Sequence, residues 1–539
     1  MKRVALQKFK STFVALIFAF GSSAFIGAPN ASAISVGTGN CVQNVDSATD
    51  VAVTSADGYC YIAFKSGTRT WSVPTNVSKL DFLVIAGGGS GASRHGGGGG
   101  AGGLVRSANV SVTGVSSISI TVGAGASAPA RTSGLNYING TSGSNSTVSK
   151  SAGAGTFATV TANGGGGGAA GGNSPQNGGS GGGSQSATTS SPISGQGNSG
   201  GTGAYDGTNY YSGGGGGAGS AGGNGSGSSG GNGGTGAIWV SSFTTAIASA
   251  LSLNLDLTRQ ASGNQVYFAG GGGGAITNTV TPGSGGLGGG GAAVTQNNTG
   301  VSGLANSGGG GGGSGCCDGG TAGAGGSGVV IVRYGLPTFT NSSTFTIAEN
   351  TSTTTNAATI TASESVTVLI RSLADSTLFN LVIADSVTAY VRFKTSPDYE
   401  AFADAGGNNE YDITVRATNT SGNYQELAIK ITVTDVLESA VIATPTFSAA
   451  AYKGRSITIS VTVSTPGKVR FFVAGKRVPN CLSMSTSGTY PNYSATCAWT
   501  PALSGNQLVR ATVTPTNNAI GAVTSDNSPI YIFKRTNNR

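Results

Sequence analysis

The sequence predicts a nearly all-β chain in which a polyglycine-II-type glycine-rich module precedes two β-sandwiches. The first observation behind this is a set of apolar strands that run straight into walls of glycine. Leu80 to Ala86 reads Leu-Asp-Phe-Leu-Val-Ile-Ala and meets Gly87–Gly89, Thr159–Asn163 meets Gly164–Gly168, and Gln265–Ala269 meets Gly270–Gly274. Further runs stand at Gly96–Gly100, Gly213–Gly217, Gly288–Gly291 and Gly308–Gly313. The second is strict apolar/polar alternation beyond residue 340, and the third is a change in the sign of the charge within that alternating region.

The glycine runs come first. A six-residue run in the three-fold polyproline-like helix spans roughly 19 Å and leaves its own backbone groups unpaired. A second glycine run can pair with them, because no Cβ holds the two chains apart, and Cα–H···O contacts add to such packing. The competing reading of this composition is flexible linker, since glycine loses the most entropy on ordering. Linkers, however, have no need of the β-branched and aromatic segments that feed these runs, among them Ser117–Val122, Ala237–Val240 and Val329–Tyr334. No three-residue glycine period with proline exists, so collagen is excluded.

Residues 1–33 read as an export signal. Lys2, Arg3, Lys8 and Lys10 form a basic start, Phe13–Phe20 is apolar but too short to span a bilayer, and Ala31-Ser32-Ala33 offers a small-residue cleavage site. The expectation is a secreted protein with no membrane-spanning segment after cleavage. Six cysteines in an exported chain most simply make three disulfides. Cys41 with Cys60 and Cys481 with Cys497 are local pairs, while Cys316 and Cys317 are neighbours within glycine. That last pair would bond to each other through a tight turn, stay as thiols or join another chain, and the connectivity remains open.

Charge divides the rest. Residues 338–439 hold five Lys/Arg against twelve Asp/Glu, a net of −7, whereas residues 440–539 hold ten against one, a net of +9. Such a division suits cations for the first segment and polyanions for the second, or simply solvated surface for both.

Three modules follow. Residues 34–335 open with Trp71-Ser72-Val73-Pro74 and Leu83-Val84-Ile85-Ala86-Gly87-Gly88-Gly89, and close with Gly325-Gly326-Ser327-Gly328-Val329-Val330-Ile331-Val332-Arg333-Tyr334. In these residues the module resembles a bacterial family of glycine-rich extracellular domains. It is also similar in design to phage tail-tip adhesins, whose polyglycine bundles hold receptor-binding loops. Within it, Tyr205-Asp206-Gly207-Thr208-Asn209-Tyr210-Tyr211 mixes rigid aromatics with small polar residues, as binding loops do. Tyr205, Tyr210 and Tyr211 are therefore candidate ligand-binding residues, or else they pack against neighbouring strands.

Residues 338–436 alternate through Tyr411, Ile413, Val415 and Ala417 and through Leu427, Ile429, Ile431 and Val433. With Phe345-Thr346-Ile347-Ala348-Glu349-Asn350, Ser396-Pro397-Asp398-Tyr399-Glu400 and Ile431-Thr432-Val433-Thr434-Asp435-Val436, the segment resembles a bacterial cadherin-like repeat. The resemblance implies a β-sandwich that binds Ca²⁺ at one end, where separated loops bring oxygens to a hard cation. Position by position it nominates Glu349, Asp398, Glu400 and Asp435 as ligands, together with Asn419 where the family usually has aspartate. The paired aspartates of the family are replaced near 362–366 by Ser363-Glu364-Ser365.

Residues 440–535 alternate through Ile457, Ile459, Val461 and Val463, then Val469, Phe471 and Val473, then Tyr493, Ala495, Cys497 and Trp499. This segment resembles a bacterial Ig-like domain. Its cysteines are too close in sequence to be the usual pair that bridges two sheets. Lys468, Arg470, Lys476 and Arg477 cluster around one hairpin, suited to an acidic wall polymer.

No catalytic pattern accompanies these modules, and the expectation is a protein that is not an enzyme. His95 is the single histidine, and neither a nucleophile elbow, a zinc-type spacing nor a phosphate loop is present. Together the resemblances imply a secreted bacterial surface protein serving adhesion or structural matrix, with cell-surface or wall polymers or other cells as partners and no nucleic acid. The alternatives are an extracellular polysaccharide-active hydrolase with its site in the glycine-rich loops, and an inert structural protein without a specific ligand.

Overall fold

The computed structural model describes residues 41, 50–129, 137–277, 281–316, 320–372, 374–517 and 519–534. The export segment and Cys317, and with it the pairing of Cys316, lie outside the described residues. Among the described residues no helix is long and apolar enough to cross a membrane.

The first module wraps a β-sandwich around the start and finish of a glycine bundle. Its strands are β1 (Val51–Ala56), β2 (Tyr59–Phe64), β3 (Thr68–Ser72), β4 (Lys79–Ile85), β5 (Leu104–Ser111), β6 (Val115–Thr121), β7 (Ser146–Gly153), β8 (Val160–Ala162), β9 (Ala204–Tyr205), β10 (Tyr210–Tyr211), β11 (Ala237–Ile238), β12 (Ala261–Ser262), β13 (Gln265–Phe268) and β14 (Val329–Gly335). One sheet is ordered β1-β2-β14-β4-β5 and a second β3-β6-β7-β8. Ile62, Phe64, Trp71, Phe82, Val84, Ile118, Val330 and Val332 fill the space between them.

The opposite face of the first sheet is covered as well. Tyr61, Leu83, Ile85, Val329 and Ile331 pack there on Trp239, Phe243, Ile247, Leu251 and Phe268. Burial on both faces explains why β14 is apolar at consecutive positions rather than alternating. The apolar stretch Ala237–Val240 pairs as a strand only over β11, because Trp239 turns into this second core. Cys41 is bonded to Cys60 at the edge of the first, with Cα atoms 5.4 Å apart.

The glycine runs form a lattice of extended chains. Along residues 97–102, successive amides rotate among three neighbours. Gly97 and Gly100 donate to Ala169 and Gly166, Gly98 and Ala101 to Gly213 and Gly216, and Gly99 and Gly102 to Gly311 and Gly308. The carbonyls are taken by three more segments: Ala92 and Gly89, Gly183 and Ser180, and Gly272. A repeat of three residues per direction is the signature of the three-fold helix, and here it gives one chain six hydrogen-bonded neighbours. The approach is as close as backbone allows: a Cβ built on Gly98 would run into the carbonyl of Gly272, and one on Gly99 into that of Gly89. Ala101 is admitted because its methyl leaves the lattice to join Leu83 and Ile85.

The second module is a sandwich of β15 (Thr344–Ala348), β16 (Ala358–Thr361), β17 (Val366–Arg371), β18 (Phe379–Ile383), β19 (Thr388–Phe393), β20 (Glu410–Asn419) and β21 (Tyr424–Thr434). One sheet is ordered β15-β21-β20-β17 and the other β16-β19-β18. Tyr411, Ile413, Val415, Ile431 and Val433 meet Ile360, Phe379, Val391 and Phe393 in its core.

The third module is built the same way. Its two sheets center on Ile457–Val463 paired with Asn492–Trp499, and on Gly467–Val473 paired with Gly505–Pro515. Phe471, Trp499, Val461 and Val513 are in its core, with Cys481 bonded to Cys497 at a Cα separation of 5.7 Å.

The modules are joined by hydrogen bonds. Asn423, only 1 % exposed, sits in the β20–β21 turn and reaches back into the first module. Its Oδ1 accepts from the amides of Ser78 (2.7 Å) and Lys79 (3.0 Å), and its Nδ2 donates to the Gly335 carbonyl (2.9 Å). Asn76 adds a bond from its Nδ2 to the Tyr424 carbonyl.

Candidate functional site

Two places gather chemistry-bearing side chains. The first lies where the acidic sandwich meets the basic one. Strand β15 runs parallel to β21 with Ala348 opposite Thr434, so the residues that follow, Glu349 and Asp435, emerge side by side. The Asn350 amide bonds the Pro397 carbonyl and draws in the turn that carries Glu400. As a result, one carboxylate oxygen from each of Glu349, Glu400 and Asp435 lies within 4.8 Å of the others.

Glu349 is only 3 % exposed and is held by two amides, with Oε1 accepting from Val436 (2.7 Å) and Oε2 from Tyr399 (2.9 Å). Burial, and then the negative charge of Glu349 and Asp435, push the Glu400 carboxyl up to about 7. Beside it, Glu438 accepts from Asn350 Nδ2 (2.8 Å) and from the Tyr490 hydroxyl (2.9 Å), bridging the two sandwiches and raising the Tyr490 pKa. A cleft of about 220 Å³ runs between the modules here, lined by Glu400, Asp435 and Glu438 on one side and Tyr490, Tyr493 and Asn517 on the other.

The sequence-derived ligand set is not all in one place. Asp398 stands next to the cluster but outside the group of three, its Oδ1 accepting from the amides of Glu400 (3.0 Å) and Ala401 (2.8 Å) to cap their turn. Asn419 requires a correction. It closes β20 at the far end of the sandwich, separated from Asp435 by the whole of β21, roughly 35 Å at the rise of an extended strand. There its Oδ1 accepts from the amides of Ser421 and Asn423, and its Nδ2 donates to Glu364, so it shapes the turn that docks on the glycine-rich module. A two-stranded antiparallel hairpin places its turn and its exit at opposite ends, which is why Asn419 and Asp435 are apart.

The second place is the tyrosine loop. Strands β9 and β10 form a hairpin with Tyr205 opposite Tyr210. Asp206 builds its turn, with Oδ1 accepting from the amides of Thr208 and Asn209 and Oδ2 from the Tyr211 hydroxyl (2.8 Å). Those bonds, the Asn209 amide foremost, hold the Asp206 carboxyl down at about 2. Tyr211 is buried and structural, whereas Tyr205 is 56 % exposed. The Tyr205 and Tyr210 rings stack with centroids 4.5 Å apart, and Tyr210 in turn faces His95 at 5.1 Å. His95 is desolvated, lies next to Arg94 and has its pKa lowered to about 4; its Nδ1 is 3.1 Å from the Thr277 hydroxyl. Tyr137 continues the row, 6.3 Å from His95, with the Arg94 guanidinium 4.6 Å from its ring center.

The row flanks a cleft of about 640 Å³. Tyr137 and Gln185 escape the sequence reading, and His95 figures there only as the single histidine, because all three come from separate glycine-run connections. The only local signal was the presence of large side chains among so much glycine.

A family model described as a glycine-rich domain matches residues 64–335, half of the chain. The chain belongs to the glycine-rich domain family. The glycine-rich domain so defined opens on the last residue of β2 and closes on the last residue of β14, so the match spans the lattice and most of its supporting sandwich. No curated protein matches the chain.

Among solved structures, extracellular cadherin domains 3–6 of protocadherin gamma B2 align at 16 % identity over 37 % of this chain and 46 % of that one, with a TM-score of 0.25. Drosophila N-cadherin EC1-4 aligns at 16 % identity over 37 % of this chain and 50 % of that one, at 0.24. Titin domains z1z2, in a complex with telethonin, align at 19 % identity over 37 % of this chain and 98 % of that one, at 0.19. The chain spans about half the length of the cadherin structures it matches.

Proposed function

We propose that the chain works outside the cell as an adhesive or structural surface protein, acting by binding and not by catalysis. In this reading the glycine-rich domain is a stiff head and the acidic sandwich a spacer that Ca²⁺ rigidifies. The basic sandwich contacts acidic wall polymer through Lys468, Arg470, Lys476 and Arg477, all exposed on one hairpin. His95, packed between rings with its pKa lowered, is poorly placed to serve as a general base near neutral pH.

The observation that carries the reading is the convergence of Glu349, Glu400 and Asp435. The donor set fits a hard cation: only carboxylate oxygens, from three separate segments, one of them buried and pre-oriented by two amides. Glu349, Glu400 and Asp435 would hold the ion, and its charge would offset the mutual repulsion evident at Glu400. Linking the end of β15, the 398–401 turn and the exit of β21 would stiffen the connection to the basic sandwich. Binding to the folded state alone also raises stability by mass action.

Calorimetric titration and thermal melting of the full chain with Ca²⁺ test this. A heat of binding and a raised Tm at millimolar Ca²⁺, both lost in Glu400→Gln, are expected. No heat and no rise would end the calcium reading. Binding of the fluorescently tagged chain to cells, with and without chelator, separates an adhesive role from an inert one.

A further inference from the structure

The cleft beside the tyrosine hairpin is walled by Tyr137, Tyr205, Tyr210, Gln185 and Ser186, with glycine and alanine backbone between them. Its volume of about 640 Å³ lies within the range of small-molecule sites, roughly 300–1,000 Å³. Among the described residues, no Asp, Glu, Lys or Arg lines it. A charged ligand would lose its hydration there without gaining a counter-charge, which disfavors anions and cations alike.

What the cleft does offer is aromatic planes and amide and hydroxyl groups. Tyr205 and Tyr137 are the exposed rings of the row, at 56 % and 40 %. Neither is loose: the Tyr205 hydroxyl donates to the Gly207 carbonyl of its own turn (2.6 Å) and its ring stacks on Tyr210, while Tyr137 is capped by Arg94. Gln185 is buried, its Oε1 accepting from the Gly172 amide (3.2 Å) at the rim. Rigid rings with an electron-rich face, set beside neutral hydrogen-bonding groups, complement a molecule with polarized C–H bonds on one face and hydroxyls around its edge. A pyranose is such a molecule.

We infer that this cleft binds a short neutral glycan, with Tyr205 and Tyr137 as platforms for sugar rings and Gln185 and Ser186 as partners for their hydroxyls. This deepens the surface-binder reading by naming a ligand class, and it does not depend on the calcium cluster. No bond is made or broken.

The test is binding of the full chain to soluble hexasaccharides of cellulose, mannan and chitin, with polygalacturonate and an aromatic-rich peptide pool as competitors, each with and without chelator. At least one neutral hexasaccharide binds, chelator leaves it bound, and Tyr205→Ala and Tyr137→Ala each weaken it by about tenfold, whereas Tyr205→Phe keeps it. Unchanged melting of the alanine variants, expected from the exposure of both rings, shows that the loss is local. Three results overturn the inference: no neutral hexasaccharide binds, both alanine variants bind normally, or only polygalacturonate or the peptides bind. Neutral-glycan binding that chelator abolishes overturns the cleft assignment while leaving the surface-binder reading in place. Cell binding without any saccharide binding does the same.

Discussion

Residues 97–102 and the alternate apolar residues of 457–463 are buried, yet they exclude water by opposite means. In the first segment successive amides go to three neighboring chains in turn, and the space that side chains would occupy is filled by carbonyls. In the second, Ile457, Ile459, Val461 and Val463 send alternate side chains into a shared core, while the backbone pairs only with strands beside it. The lattice bonds in three directions around its axis and the sheet in one plane. A lattice therefore fails when atoms are added, and a sandwich fails when atoms are removed.

That contrast predicts a pair of substitutions with the largest effects. Phe471→Ala empties part of the third core and should cost about 3–5 kcal/mol, read in the denaturant transition of that module. Gly99→Ala adds one methyl where the Gly89 carbonyl stands and should cost about 1–3 kcal/mol or more. Gly227→Ala, where a Cβ meets nothing, should stay within about 0.5 kcal/mol. Equal tolerance at Gly99 and Gly227, or amides of residues 97–102 exchanging like those of a free peptide, would show that the lattice is not a core.

Reducing the Cys481–Cys497 bond, which closes a short loop, should destabilize the basic sandwich by about 3 kcal/mol. Replacing Cys481 and Cys497 together by alanine, which keeps the Cys41–Cys60 bond, should leave hydrogen-exchange protection within the lattice unchanged, since that pair lies wholly in the third module. At the joint between lattice and acidic sandwich, Asn423→Ala leaves the part-buried amides of Ser78 and Lys79 without their acceptor. It should cost about 1–3 kcal/mol, and limited proteolysis should then cut near residues 335–338.

The last expected effect is a pH dependence. Because Glu400 titrates at about 7 in the folded chain against an ordinary 4.5, the folded state holds its proton more tightly over that interval. Stability in chelator should therefore fall as pH rises from about 4.5 to about 7. Saturating Ca²⁺ should flatten the upper part of that fall, and Glu400→Gln should remove it altogether. A Tm that instead climbs over this interval in chelator contradicts the repulsion inferred at the cluster.

Much of the architecture is legible along the chain. The glycine runs with their feeding strands mark the lattice, because only glycine permits backbone at that distance, and the period of two marks both sandwiches. The local cysteine pairs Cys41–Cys60 and Cys481–Cys497 are bonded as proximity suggested. The site is only half legible. Glu349, Glu400 and Asp435 carry recognizable motif positions, but Asn419 belongs to the opposite end of the hairpin. Of the tyrosines, Tyr211 proves to be a framework residue, while Tyr137 and His95, from other loops, complete the row.

The sequence by itself determined which segments are bare backbone, which alternate, and where charge of each sign accumulates, since these follow from local composition and period. Only the tertiary structure decided which glycine runs are neighbors, which carboxylates share a point in space, and which rings line one cleft. Lattice chains of nearly identical sequence carry no side-chain code for their partners. Their order is set by the connections and strands at their ends, and the position of every loop follows from that order.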